Sequence, residues 1–187
     1  MGTNFYFMSK DKKLMRENFA VETEYGIHDV EYEIVDEPYL GYEVHLNKLS
    51  GGWRPLFQSH KNITTFKELE KFYLRNNSSL EIYDEYGRRY TWNQYRDKIY
   101  RHSQCRRKPF RWVYAVDPFF NDCEPRLHTV PCEEKDADIY MPFSHNEYMK
   151  KEHLARQRFH VYERAWCDAK YWEDPDYPFD WTEGEFC

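Results

Sequence analysis

The sequence predicts an α+β fold, with a mostly antiparallel sheet and two to three helices packed on one face. Several short segments alternate apolar with polar residues, as half-buried strands do. Helix-capping residues precede segments that carry apolar side chains at helical spacing. Aromatic residues make up 19% of the 187-residue chain, which favours a folded core built from rings over a disordered chain.

The first part of the chain is dominated by predicted strands. Alternation predicts them at residues 3–8, 30–35, 42–49 and 53–58. Residues 10–18 are expected to form one or two helical turns. The last two strands are separated by Ser50, Gly51 and Gly52, and glycine adopts positive φ readily, so we expect a hairpin there.

Two helices are predicted in the middle of the chain. Thr65 is followed by Glu68 at capping-box spacing, and apolar residues then recur at helical spacing until about residue 76. Residues 80–83 predict a strand, and Asp84 and Gly87 enclose a turn. Thr91 is expected to cap a second helix that runs past Ile99.

The pattern is weaker beyond residue 104. Residues 111–116 predict a strand, and prolines together with an Asn-Asp pair predict an irregular loop over residues 117–138. Ser144 and Glu147 have capping-box spacing and predict a helix to residue 158. Residues 159–166 fit a strand or a continuation of that helix, and residues 179–186 predict an edge strand. We therefore divide the chain into an α+β core at 1–104, with an acidic insertion at 17–43, and an aromatic-rich part at 105–187 that completes the same domain.

Charge is distributed unevenly along the chain, whose formal net charge is -6. Residues 17–43 contain acidic residues and no Lys or Arg, whereas residues 88–111 are rich in Lys and Arg and contain one acid, Asp97. The two segments could neutralise each other or form solvated faces. Alternatively, the acidic segment binds a basic partner and the basic segment binds phosphate or an acidic partner.

Several classes of protein are not indicated by the sequence. It has no run of about 18 apolar residues and no signal-peptide core, so we expect neither a membrane span nor secretion. The five cysteines are odd in number and widely spaced, which favours reduced thiols over a disulfide framework. Phosphate-binding Gly-rich loops, nucleophile elbows and dinucleotide-binding fingerprints do not occur.

One candidate catalytic group lies around the predicted hairpin. It consists of His45, Lys48, Ser50 and His60. Two imidazoles can act as general base and general acid near neutral pH, and a lysine can stabilise charge on a phosphate, which is the chemistry of metal-independent RNA cleavage. The alternative is that these residues shape the turn and form hydrogen bonds within the sheet.

Two candidate binding surfaces follow from the charge distribution. The basic one combines cations with an aromatic ring, as surfaces that bind single-stranded nucleic acid do: Arg96, Tyr100, Arg101, Arg106 and Arg107. The acidic one is a candidate for binding a basic partner surface: Glu31, Glu33, Asp36 and Glu37. For the basic segment, an ordinary basic helix with an aromatic core face remains the alternative.

Metal binding is less well supported. The set Cys105, Cys123, His128 and Cys132 lacks the close ligand pairs of common zinc sites. Mg²⁺ is considered as a cofactor only if carboxylates from separate segments act together: Asp84, Glu85, Glu183 and Glu185. We interpret Asp84 instead as the residue that caps the turn completed by Gly87.

Short motifs are also spread along the chain. They are MGTNFY at 1–6, HLNKLSGGW at 45–53 followed by FQSH at 57–60, and DEYG at 84–87 paired with GEFC at 184–187. In these motifs the chain resembles a family of small, largely uncharacterised bacteriophage proteins. Many members carry a Cys-x-x-Cys knuckle between the first strand and the His hairpin, whereas this chain has its acidic insertion there, so the metal site of such a knuckle is absent.

The resemblance implies a phage origin and a location in the host cytoplasm. Phages encode many small proteins that disable host defences, so we expect an anti-CRISPR-like inhibitor that binds a bacterial defence effector or its guide RNA. One alternative is a ribonuclease, metal-independent or Mg²⁺-dependent, that trims such an RNA, and another is a phage accessory or structural protein. No membrane partner is expected, and the sequence leaves the oligomeric state open.

Overall fold

The computed structural model describes residues 2–19, 29–34, 37–116, 124–161 and 170–184, with backbone alone at 29–34 and 37–41. Its helices are α1 (Lys12–Phe19), α2 (Phe66–Asn76), α3 (Trp92–Ser103) and α4 (His145–Phe159). Its strands are β1 (Gly2–Ser9), β2 (Asp29–Ile34), β3 (Glu37–Ser50), β4 (Leu56–Gln58), β5 (Glu81–Asp84), β6 (Arg89–Tyr90), β7 (Pro109–Ala115), β8 (Arg126–Pro131), β9 (Ile139–Tyr140), β10 (Tyr171–Glu173) and β11 (Asp180–Thr182).

The strands form two sheets within the described ranges. The main sheet has the order β10-β11-β4-β3-β1-β5-β6, with β2 paired to β3, and the small sheet has the order β8-β7-β9. Pairing is antiparallel except between β11 and β4. The predicted α+β class with a mostly antiparallel sheet is therefore confirmed, and strands β10 and β11 connect the end of the chain to the main sheet.

Helices α1, α2 and α3 pack on one face of the main sheet. Phe5 and Phe7 lie on the side of β1 that faces these helices, where side chains from the three helices complete a largely aromatic and aliphatic core: Met15, Phe19, Phe66, Leu69, Trp92, Tyr95 and Ile99. Helix α4 packs instead against the small sheet, with Ala155 against Trp112 and Ile139. The described part of the chain thus has four helices, slightly more than the two to three expected, because residues 12–19, expected as one or two helical turns, form a full helix.

Local capping sets the starts of three helices. Thr65 and Thr91 each form a complete capping box, with Glu68 and Gln94 respectively, and the Ser144 side chain accepts a hydrogen bond from the Glu147 backbone at the start of α4. These contacts occur over three residues, so the sequence alone was sufficient to predict them.

The C-terminal half differs from the prediction in two places. The irregular loop predicted over 117–138 was wrong at 126–131, where β8 pairs with β7. Prolines at both ends of this segment and its weak alternation conceal the strand. The strand predicted at 179–186 exists as β11, but it lies between β10 and β4 rather than at an edge. Helix α4 ends at Phe159, and residues 162–169 lie outside the described residues.

Candidate functional site

The predicted hairpin brings the two histidines together. Strands β3 and β4 are antiparallel, and Gly52 adopts φ +84° in the turn between them. The His60 ring donates from Nε2 to the His45 carbonyl oxygen at 3.2 Å. This bond falls where the β1–β3 pairing shifts from Tyr6–His45 to Phe5–Asn47, so His60 stabilises a bulged position of the sheet.

Burial makes both histidines weak bases. It lowers the pKa of His60 to about 4, and His60 is only 6% exposed. Burial also lowers the pKa of His45 to about 4, with the nearby His60 and Lys48 charges acting in the same direction. Acid–base cleavage at neutral pH needs one protonated and one neutral imidazole, whereas both rings here are neutral at pH 7. The geometry therefore fits the structural alternative better than the catalytic one.

Lys48 and Ser50 lie toward the end of β3, beside the start of β1. A Cβ on Gly2 would lie 3.0 Å from both Lys48 Cε and Ser50 Oγ, so the two side chains pack over that glycine. The Ser50 carbonyl accepts from the Trp53 amide at 3.1 Å and lies 3.0 Å from His102 Nε2. Ser50 therefore shapes the turn through its backbone, and His102 fixes α3 to that turn.

The predicted nucleic-acid-binding residues divide between two sides of α3. Arg96 lies 3.8 Å from Glu70 of α2, and the Tyr100 ring contacts Tyr177 and Phe179 edge-on. Arg101 lies on the other side, one turn beyond Lys98, whose Nζ donates to the Tyr90 hydroxyl at 2.8 Å. Arg96 and Tyr100 thus contribute to packing between elements, and Arg101 is left exposed.

Arg106 and Arg107 lie in the exposed connection between α3 and β7. The connection is held at its end, where Lys108 and Met141 exchange two backbone hydrogen bonds of 3.2 and 2.8 Å. Within the described residues, Arg101, Arg106 and Arg107 form no ion pair with a carboxylate. The structure therefore presents three guanidinium groups to solvent around the C-terminal end of α3.

The acidic candidates lie elsewhere. Glu31 and Glu33 are on β2, and Glu37 begins β3, where it pairs with Ile34 through the backbone. Asp36 lies outside the described residues. In the backbone register of this pair, Glu31 pairs with Leu40 and Glu33 with Pro38.

The candidate metal ligands have other roles or stay apart. Asp84 is 3% exposed, and its Oδ1 accepts hydrogen bonds from the amides of Tyr86 and Arg88, both at 3.0 Å. It therefore caps the turn, as expected. Glu183 lies 3.3 Å from Lys170 Nζ, and Glu185 and Cys123 are outside the described residues. Among the side chains that the structure does describe, His, Cys, Asp and Glu residues do not gather in any group of three or more that could hold a metal ion.

Two helix-capping carboxylates could not be predicted from the sequence. Asp174 Oδ2 accepts from the Phe66 amide at 2.7 Å and from Trp181 Nε1 at 2.9 Å. Asp180 Oδ2 accepts from the His145 amide at 2.9 Å. Each carboxylate thus caps the first amide of a helix distant in sequence, and no local spacing could have revealed the pairing.

None of the helices in the described ranges is long and apolar enough to cross a membrane. Comparisons with protein-family models, curated protein sequences and solved structures find no match for this chain. The function proposed for it rests on its own residues and contacts and on its short sequence motifs.

Proposed function

We propose that this protein is a phage-encoded, anti-CRISPR-like inhibitor of a bacterial defence system, and that it acts by binding the guide RNA of an effector. The observation that carries the binding part is the exposure of Arg101, Arg106 and Arg107 without carboxylate partners among the described residues. The motifs shared with a bacteriophage family support the phage setting.

Unpaired guanidinium groups are suited to RNA phosphates. They remain charged at every physiological pH and form two parallel hydrogen bonds with phosphate oxygens. Each phosphate that they neutralise also releases condensed counterions, which supplies affinity independent of base sequence. Such contacts need no preformed pocket, so three exposed arginines in a short stretch are sufficient for backbone binding.

Binding is favoured over cleavage by the state of the hairpin histidines. Because burial lowers the pKa of His45 and of His60 to about 4, neither ring is the protonated imidazolium that general acid catalysis needs at neutral pH. The protein is therefore expected to bind RNA and to leave it intact.

The test is binding of a labelled guide RNA by the wild type and by the triple variant Arg101→Gln, Arg106→Gln, Arg107→Gln, measured by fluorescence anisotropy over a range of salt concentrations. We expect the triple variant to lower the slope of log affinity against log salt by about 2, since each contact to a single strand contributes roughly 0.7. Defence of the host against phage should then be restored in a plaque assay.

The matched control is Lys61→Gln, Lys71→Gln, Arg75→Gln, which removes three exposed cations remote from the α3–β7 connection. It should bind and inhibit like the wild type. If both triple variants lost RNA affinity equally, the effect would come from net charge and not from these three arginines, which would contradict the proposed site. If the protein inhibited the defence system but bound no RNA, the proposal would be overturned and a protein target favoured. Incubation with and without EDTA, followed by a denaturing gel, should show full-length RNA.

A further inference from the structure

We infer that the end of the main sheet where β1 begins is a track for single-stranded RNA, on which Tyr86 stacks a base while Arg88 and Arg101 contact phosphates. This inference rests on the proposed RNA binding and adds a site to it. It rests on the turn between β5 and β6, which lies outside the binding surface formed by Arg101, Arg106 and Arg107.

The β5–β6 turn is held by several hydrogen bonds to Asp84. The buried Asp84 carboxylate accepts hydrogen bonds from the amides of Tyr86 and Arg88 through Oδ1 and from the Tyr90 hydroxyl, at 2.9 Å, through Oδ2. The Asp84 amide donates to the Arg88 carbonyl at 3.0 Å, and Gly87 adopts φ +74°. A turn fixed in this way loses little conformational entropy when it binds a ligand.

The turn holds an aromatic ring in solvent. Tyr86 is 62% exposed, more than the other large hydrophobic residues in the described part of the chain. The Arg88 guanidinium lies 5.8 Å from the centroid of its ring. Glu85 accepts a hydrogen bond from Asn4 Nδ2 at 2.8 Å. Its carboxylate also lies close to the Tyr86 hydroxyl and hydrogen-bonds to it, which raises the pKa of that hydroxyl. An exposed ring next to a cation is the arrangement that stacks a base and contacts its phosphate.

The strand register places this turn near the exposed arginines. Gly2 pairs with Ser50 and Phe5 with Asp84, so the β3–β4 turn and the β5–β6 turn extend from the same end of the sheet. Strands β3 and β5 flank β1, which separates the two turns by two strand spacings, about 10 Å. His102 Nε2, 3.0 Å from the Ser50 and Trp53 carbonyl oxygens, brings the C-terminal end of α3 to the same place.

The side of α3 that faces the β5–β6 turn carries Arg101. Lys98 on this side reaches the Tyr90 hydroxyl of β6, and Arg101 follows it by one helical turn. Asp97 lies beside them on α3 and Glu85 lies beside Tyr86 in the turn, so the three cations Arg88, Lys98 and Arg101 outnumber these two exposed carboxylates by one. A strand that runs from Tyr86 to Arg101 therefore meets a ring and then a series of cations.

The occupant is a single strand because stacking on a protein ring requires an unpaired base. In a duplex the bases stack on one another and their faces are unavailable. Ring stacking is tolerant of sequence, since every base has a π-face, so the track should accept different sequences with similar affinity.

The test compares labelled single-stranded RNA with a duplex of equal length by fluorescence anisotropy. The variants are Tyr86→Ala, Tyr86→Phe and, as a matched control, Tyr114→Ala, which removes a ring that is 40% exposed on the small sheet. We expect Tyr86→Ala to weaken single-strand binding roughly 5- to 150-fold, the range that stacking of one base supplies. Tyr86→Phe should bind within about twofold of the wild type because the ring remains, and Tyr114→Ala should do the same because its ring lies off the track.

Three outcomes would contradict the stacking site, and they can be told apart. Unchanged single-strand binding by Tyr86→Ala, together with loss in the triple arginine variant, would overturn the stacking site and leave the proposed RNA binding standing. Absence of RNA binding by the wild type would overturn both. A loss of duplex binding in Tyr86→Ala equal to the single-strand loss would also contradict base stacking, since the ring would then act on the backbone.

Discussion

Asp180 Oδ2 accepts a hydrogen bond of 2.9 Å from the backbone amide of His145, the first residue of α4. The carboxylate is fully buried on β11, and its Oδ1 lies 3.1 Å from the Ser144 hydroxyl. A strand of the main sheet thus caps the helix that covers the small sheet. A carboxylate is favourable at the N-terminus of a helix, so this contact stabilises the attachment of α4 to the main sheet.

Removal of this carboxylate should destabilise the protein. Asp180→Ala leaves the His145 amide without its acceptor in a partly buried place, at a cost of about 1–3 kcal/mol in free energy of unfolding, whereas the Ser144 hydroxyl keeps Glu173 as an acceptor. Asp180→Asn should cost less, since its amide oxygen can still accept from His145. Urea denaturation at pH 7 measures both, and equal stability of Asp180→Ala and the wild type would show that the cap contributes nothing.

The pKa of Asp180 also predicts how the free energy of unfolding changes with pH. Burial raises the pKa of Asp180 from its ordinary value of 3.8 to about 6. Between these values the folded state binds the proton and the unfolded state does not, so this group stabilises the fold as pH falls from above 6 toward 3.8. The stability of the wild type relative to Asp180→Asn should therefore rise from pH 7 to pH 5. A constant difference would contradict a raised pKa.

Titration of His60 should destabilise the protein as pH falls, in contrast to titration of Asp180. Its folded pKa of about 4 lies below the ordinary 6.5, so its contribution to stability is present above pH 6.5 and is lost as pH falls toward 4. This linkage amounts to about 2 kcal/mol at pH 5. His60→Gln retains a donor for the His45 carbonyl but does not titrate. The loss of unfolding free energy between pH 7 and pH 5 should be smaller in this variant, and an identical loss would mean that His60 is not the group responsible.

Gly52 is predicted to be intolerant of a side chain, and Gly51 supplies the matched control. Gly52 adopts φ +84°, and a Cβ there would meet the Met141 side chain, whereas a Cβ at Gly51 has no neighbour within 4 Å. Gly52→Ala should lower the free energy of unfolding by about 1–2 kcal/mol, the cost of a left-handed conformation for alanine. Gly51→Ala should leave the melting temperature nearly unchanged, and a similar drop in both variants would contradict the role of φ.

The sequence was sufficient where the determining contacts are local. Capping boxes at Thr65 and Thr91, the turn at Gly52 and the cap at Asp84 each involve residues within four positions of one another, so their spacing is visible in the chain. The exposure of Arg101 could also be inferred, since helical spacing places it off the stripe formed by Tyr95 and Ile99.

Long-range contacts explain what the sequence could not indicate. Asp174 caps α2 through the amide of Phe66, 108 residues earlier, and β11 enters the main sheet parallel to β4. The catalytic interpretation of His45 and His60 rested on proximity, which the fold provides, but the pKa of each depends on burial that no spacing expresses. Proximity and chemical competence are therefore separate properties of the pair.

A buried hydrogen bond between Tyr95 and Asn47 is predicted to contribute to the stability of the core. Both residues are fully buried, and the Tyr95 hydroxyl donates to Asn47 Oδ1 at 2.7 Å across the interface between α3 and β3. Tyr95→Phe leaves that oxygen without its donor, which should cost about 1–3 kcal/mol in free energy of unfolding.

A double-mutant cycle with Asn47→Leu separates the hydrogen bond from packing. Once Asn47 is replaced, the Tyr95 hydroxyl is itself the unpaired group, so Tyr95→Phe should cost little or should stabilise the protein in that background. The expected interaction energy between the two sites is at least about 1 kcal/mol, measured by urea denaturation of the four proteins. Strict additivity would mean that the hydroxyl and the amide do not depend on each other, and that the α3–β3 interface is held by ring packing alone.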